Sequence, residues 1–171
     1  LEGLFPGIFT VKTDRDSFDY VYDINDLADL KGRKFQKKRN HLNKFREAHP
    51  NHRFEPITEE NLPKVQEMVA QWYENRGDTD EYHLEKLALK RAFANMEALG
   101  LEGLVLTENG RILAMTMGSR LSKDTFDIHF EKARQDVRTR TAAVSASLVF
   151  SHCSSRTRFK SRFNSWPMAL P

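Results

Sequence analysis

A single cysteine in 171 residues, Cys153, excludes an internal disulfide and any paired-thiol redox or zinc motif; the cytoplasm is the expected compartment. No run of eighteen apolar residues occurs, so no segment reads as a membrane span, and the N-terminus lacks the regions of a secretory signal. The chain begins at Leu1 rather than Met, as expected of a fragment. A phosphate-binding P-loop, a dinucleotide glycine fingerprint and a Gly-x-Ser-x-Gly elbow are all missing, and no resident cofactor is called for. Acidic residues stop at Asp136. Residues 1–136 hold 21 Lys and Arg against all 24 Asp and Glu, whereas the last 35 residues hold Arg138, Arg140, Arg156, Arg158, Lys160 and Arg162 with no acid.

What is present fits one ordinary globular core, since 39% of residues are apolar and 30% charged. The most informative stretch is Lys31 to Arg46, which holds eight Lys or Arg and no acid, yet keeps a helical apolar pattern in Phe35 and Leu42. A helix this basic repels itself unless an anion sits against it. Lys34, Lys37, Lys38, Arg39 and Lys44 are therefore candidate contacts for phosphate, from nucleic acid or a lipid headgroup, with Asn40 and His41 placed to position a substrate. A solvated helix face is the alternative.

Local signals set out the rest. Strands are expected at Ile8 to Lys12, Phe18 to Tyr22 and His52 to Ile57. Asp23 is placed to cap a short helix ending near Gly32, and Lys34 to Ala48 reads as a second helix stopped by Pro50. Thr58 and Thr79 are placed to open two more, the latter running to Leu99 with Gly100 as its stop. Leu104 to Thr107 and Arg111 to Met117 flank Asn109-Gly110, a strong hairpin signal. Thr125 to Lys132 alternates, with Phe126, Ile128 and Phe130 on one face and Asp127, His129 and Glu131 on the other. This order predicts an α+β fold, a mostly antiparallel sheet with packed helices. That second face reads as the polar side of a half-solvated strand or, if the chain carries catalysis, His129 and Glu131 are the first candidates to take a proton from an attacking group, with Lys132 as an anion partner. His49 and His52 lack further ligands nearby, so no metal site is expected. Trp72, Tyr73, Met115 and Met117 read as core.

Phe18-Asp-Tyr-Val-Tyr-Asp, Lys31-Gly-Arg-Lys, Lys37-Lys-Arg-Asn-His-Leu-Asn-Lys-Phe45, Phe54-Glu-Pro-Ile-Thr58, Asn109-Gly110 and Asp127-Ile-His-Phe-Glu-Lys-Ala133, in this order, resemble the phosphatidylglycerol lysyltransferase C-terminal-like family over residues 5–136. The run from Lys37 to Asn40 is also similar to a basic helix of peptidoglycan-bridge aminoacyltransferases. The resemblance implies two tandem acetyltransferase-like halves, truncated at both ends here: residues 1–16 as the tail of the first half, 17–136 as an incomplete acetyltransferase-like domain, and 137–171 as an aberrant, frame-shifted or disordered basic tail. It implies aminoacyl or acyl transfer from aminoacyl-tRNA or another phosphate-bearing donor, with peripheral contact to anionic lipid and a missing first half-domain as partners. The alternatives are a coenzyme-A-dependent N-acetyltransferase and a non-catalytic RNA- or lipid-binding module. A family member would continue past Asp136 with a Gly-containing turn into a helix, whose turn meets the donor; this chain has Arg138-Thr-Arg-Thr instead.

Overall fold

The structure, a computed structural model, describes residues 3–10, 12–15, 18, 20–76, 79–137 and 158–161. Its elements in chain order are β1 (Tyr20–Asp23), α1 (Ile24–Asp29), a 3-10 turn (Arg33–Phe35), α2 (Gln36–Ala48), β2 (Arg53–Pro56), α3 (Leu62–Glu74), α4 (Asp80–Ala94), β3 (Leu101–Glu108), β4 (Arg111–Ser122), β5 (Thr125–Ala133) and β6 (Arg158–Ser161). The strands form one sheet in the order β1-β6-β5-β4-β3-β2, antiparallel throughout except where β6 runs parallel to β5. This is the mostly antiparallel α+β class that the sequence predicts. Among the described residues no helix is long and apolar enough to cross a membrane.

The helix ends follow from local chemistry. The Asp23 carboxylate accepts from the Asn25 N–H, and Thr79 Oγ1 accepts from the Tyr82 N–H, each satisfying a donor at a helix start. Asn109 and Gly110 both have positive φ, 51° and 77°, which matches the twist of the β3–β4 hairpin.

Other expectations are corrected. Residues 8–10 form no strand; Ile8 is 70% exposed, and no strand among the described residues pairs with it. α1 ends at Asp29, where Leu30 turns left-handed, short of Gly32. The cap of α3 is Asn61, not Thr58, and Asn61 Oδ1 instead accepts from the Thr58 N–H. α4 ends at Ala94, well before Leu99. The expectation for 137–171 falls mostly outside the described residues; of those that are described, Val137 is buried and 158–161 form β6.

The sheet has two differently built faces. Under α3 and α4 one continuous cluster joins Val65, Met68, Val69, Trp72 and Leu89 to Val105, Met115 and Met117. Under α1 and α2 the core is divided: Ile24, Leu27, Leu30 and Phe35 pack on Phe126 and Ile128, and Phe45 packs separately on Leu106, Leu113, Ala114 and Ala133. Trp72, Tyr73, Met115 and Met117 are core, as read from the sequence.

Candidate active site

The site is built around an irregularity in β5. Met117 pairs with Phe130 and Gly118 with Ile128, so His129 has no residue opposite it on β4. Such a bulge re-aims side chains, because the extra residue breaks the two-residue alternation. Gly118 allows the close approach, since a Cβ there would lie 2.3 Å from the Asp127 carbonyl oxygen. As a result Phe126 and Ile128 point toward α1, whereas Phe130 packs against the α3/α4 cluster. The alternation read from the sequence fails at this point, and the expected face shared by Asp127, His129 and Glu131 does not exist.

Asp127 and His129 lie on the α3/α4 face with Ser119, the residue opposite Asp127 on β4. His129 Nε2 is 2.8 Å from Ser119 Oγ, and Nδ1 is 3.7 Å from Asp127 Oδ2. Asp127 Oδ1 is buried and has no hydrogen-bond partner among the described residues. The His129 side chain is 35% exposed and remains reachable. Pairing of β5 with β6 stops at Ile128 and Ser161. Among the described residues, the edge of β5 from His129 to Ala133 therefore has no strand against it.

Glu131 lies on the other face. Its Cα partner on β4 is Thr116, and both its carboxylate oxygens are shielded from water. Lys38, from the sheet-facing side of α2, reaches this point. Burial holds its pKa below the usual lysine range, while the charge of Glu131 opposes that shift. Phe35, Lys38, Leu42 and Phe45 thus form the inward stripe of the basic segment, and Lys38, expected among the phosphate contacts, turns toward Glu131 instead.

The remaining cations divide in two. Lys34 pairs with Asp26 at 2.7 Å, and Lys31 with Asp29 at 2.6 Å, so α1 supplies the acids that the segment itself lacks. Arg39 donates to the Leu30 carbonyl, to the Gly32 carbonyl at 2.8 Å and to Gln36 Oε1 at 2.5 Å. It clamps the α1–α2 turn in place of gripping an outside anion. Asn40 Oδ1 accepts from Gln36 Nε2 at 3.1 Å, and His41 is half-buried. Arg33, Lys37, Lys44 and Arg46 are exposed and have no ion-pair partner among the described residues.

Lys132 is also placed differently from the expectation. It is 4% exposed, donates to Glu85 Oε1 at 2.7 Å and stands 4.2 Å from the Trp72 ring centre. The Tyr73 hydroxyl donates to Glu85 Oε2 at 2.9 Å; burial, reinforced by the Glu85 charge, pushes the Tyr73 pKa up. Lys132 is neutralised inside the protein and has no free side for an anion. His49 and His52 serve structure: His49 Nδ1 is 2.7 Å from Glu108 Oε2, and His52 Nδ1 is 2.6 Å from the His49 carbonyl oxygen.

At the turn after β5, Arg134, Gln135 and Asp136 border a cavity of about 280 Å³ with Met68, Gln71 and Trp72. Arg134 Nη1 donates to Gln71 Oε1 at 3.0 Å. The turn that the resemblance assigns to the donor begins after Asp136, at Arg138, outside the described residues.

Sequence reasoning missed Ser119 and Glu85. Ser119 lay beyond the expected end of β4 at Met117, and its facing of His129 depends on a register and a bulge that carry no short-range signal.

The family model "Phosphatidylglycerol lysyltransferase, C-terminal" matches residues 3–157, well past Asp136. No curated protein matches the chain significantly. A conserved protein of unknown function from Bacteroides thetaiotaomicron VPI-5482 superposes with a TM-score of 0.82 at 35% identity, over 93% of this chain and 54% of that one. The C-terminal domain of a putative lysylphosphatidylglycerol synthetase from Agrobacterium fabrum (TM-score 0.54, 16% identity, 85% and 46% covered) and the L-PGS of Bacillus licheniformis (0.57, 16%, 83% and 43%) share the fold. The chain spans about half the length of these structures. Matched over most of its own length, it belongs to the phosphatidylglycerol lysyltransferase C-terminal family.

Proposed function

We propose that the protein transfers an aminoacyl group from a phosphate-bearing donor to an amine or hydroxyl acceptor, with His129 taking the attacking group's proton. The family description and the L-PGS name make lysyl-tRNA and phosphatidylglycerol the first donor and acceptor to test, on the cytoplasmic side of the membrane. The observation that carries the reading is the setting of His129. It is reachable, held at Nε2 by a hydroxyl and faced at Nδ1 by a carboxylate, beside the part of β5 against which no strand lies among the described residues. An activated ester is already electrophilic, so the protein's task is to orient the reactants and to accept a proton. Arg33, Lys37, Lys44 and Arg46 supply the grip on donor or lipid phosphates, on the opposite face of the sheet from His129. Glu131, on that opposite face, holds Lys38 and α2 rather than acting as a second base.

The test is transfer of radiolabelled lysine from lysyl-tRNA to phosphatidylglycerol vesicles, alongside tRNA binding as a function of salt. Lysyl-lipid is expected, with binding that falls steeply with salt. Removing one phosphate-binding cation, in Lys37→Ala or in Lys44→Ala, should lower the log–log salt slope by roughly 0.7 to 0.9. Acetyl transfer from coenzyme A in place of lysyl transfer would overturn the reading, as would RNA and lipid binding with no turnover.

A further inference from the structure

We propose that Ser119 is a covalent nucleophile and that transfer proceeds through an acyl ester on its Oγ. This rests on the acyl-transfer reading above and adds a step to it. The ring nitrogens of His129 are distributed as a serine nucleophile requires: Nε2 stands 2.8 Å from Ser119 Oγ, and Nδ1 faces Asp127 Oδ2 at 3.7 Å. A carboxylate at Nδ1 favours the tautomer with its proton there, which leaves Nε2 as the acceptor for the serine proton. The 3.7 Å gap exceeds a hydrogen bond, and unliganded sites are commonly looser at this point than substrate complexes. Two further observations point the same way. Asp127 carries a buried oxygen, Oδ1, with no hydrogen-bond partner among the described residues, an arrangement that costs free energy where no polar group arrives to satisfy it. The bulge that aims His129 at Ser119 is maintained by Gly118, where any side chain would collide with the β5 backbone.

The chemistry balances without a further reagent. Ser119 Oγ attacks the donor's carbonyl carbon as Nε2 takes the hydroxyl proton. The carbon–oxygen bond to the leaving group then breaks, and that oxygen takes the proton from Nε2, leaving the acyl group as an ester on Oγ. In the second half an acceptor N–H or O–H loses its proton to Nε2 and attacks the ester, and Oγ departs and recovers the proton.

The probe is a fluorophosphonate, which phosphonylates activated serines with loss of fluoride irrespective of the natural donor, with the adduct located by peptide mass spectrometry. One adduct is expected, on Ser119; it should vanish in Ser119→Ala and form at least about 100-fold more slowly in His129→Gln. Thermal melts of both variants are expected to match the parent, since both side chains are partly solvated. An unlabelled Ser119, or labelling at the parent rate in His129→Gln, overturns the proposal. Lysyl transfer by Ser119→Ala at the parent rate overturns the covalent step and leaves the transferase reading intact. Labelling of Ser119 with no lysyl transfer leaves the nucleophile standing and removes the assigned donor.

Discussion

The two faces of the sheet treat neighbouring residues of one strand in opposite ways. Glu131 enters the α2 face and meets Lys38, whereas Lys132 enters the α3/α4 face and meets Glu85. On the α3/α4 side the charge sits at the margin of a continuous apolar cluster, under the Trp72 and Tyr73 rings. On the α2 side it sits between two smaller clusters. Apolar burial is the main favourable term in folding, so the continuous side should carry global stability. The divided side should hold its helices more loosely.

The largest expected effect compares core truncations. Leu89→Ala, in the α3/α4 cluster, should cost about 2–5 kcal/mol of global stability. Phe45→Ala removes a side chain that is 1% exposed, but from the smaller cluster. It should speed hydrogen exchange in α2 selectively and leave α3, α4 and the β3–β5 amides protected. Equal loss of protection everywhere would make the two faces a single cooperative unit and break the comparison.

A smaller effect separates the two ion pairs. Lys38→Met leaves Glu131 with both oxygens shielded from water and should cost about 2 kcal/mol, below the 3–5 of a fully buried pair because Lys38 is itself partly solvated. Lys38→Met combined with Glu131→Leu should recover most of that loss. Lys132→Met should cost about 1 kcal/mol, because the Glu85 side chain is 33% exposed and can take up water once its partner is gone. Urea titrations of the four proteins decide it. A larger loss for Lys132→Met than for Lys38→Met would reverse the ranking.

Local chemistry was legible in the sequence; the pairing of distant segments was not. The Asp23 and Thr79 caps, the Asn109-Gly110 turn and the inward placing of Phe35, Leu42, Trp72 and Tyr73 all depend on spacing over a few positions, and they appear where the spacing places them. The candidate site fared differently. His129 was nameable from its strand, but its partner Ser119 depends on the β4–β5 register, and its separation from Glu131 depends on one bulged residue. The basic segment was read correctly as helical with Phe35 and Leu42 on a packing face, but which of its cations stand free was not legible. The acids that pair Lys31 and Lys34 come from α1, and the carbonyls that hold Arg39 come from the turn before it. Counting charge along a chain cannot show which cations the fold has already neutralised.

The smallest expected effect is also the one that distinguishes the faces by sign. Burial lowers the pKa of Lys38 and raises that of Tyr73. For Lys38, the unfolded chain binds more protons than the folded one between the lowered value and the ordinary 10.5, so its contribution to stability rises with pH across that window. For Tyr73, stability is fully present below the ordinary value of 10.0 and falls as pH climbs above it, because only the unfolded tyrosine ionises there. Where the two windows overlap, from the ordinary tyrosine value of 10.0 to the ordinary lysine value of 10.5, the α2 face should therefore gain while the α3/α4 face loses. Urea melts over that range should show a steeper alkaline loss in Lys38→Met, which keeps only the Tyr73 contribution, and a shallower one in Tyr73→Phe. Parallel curves for the two variants would mean that neither group is perturbed by its surroundings as the packing requires.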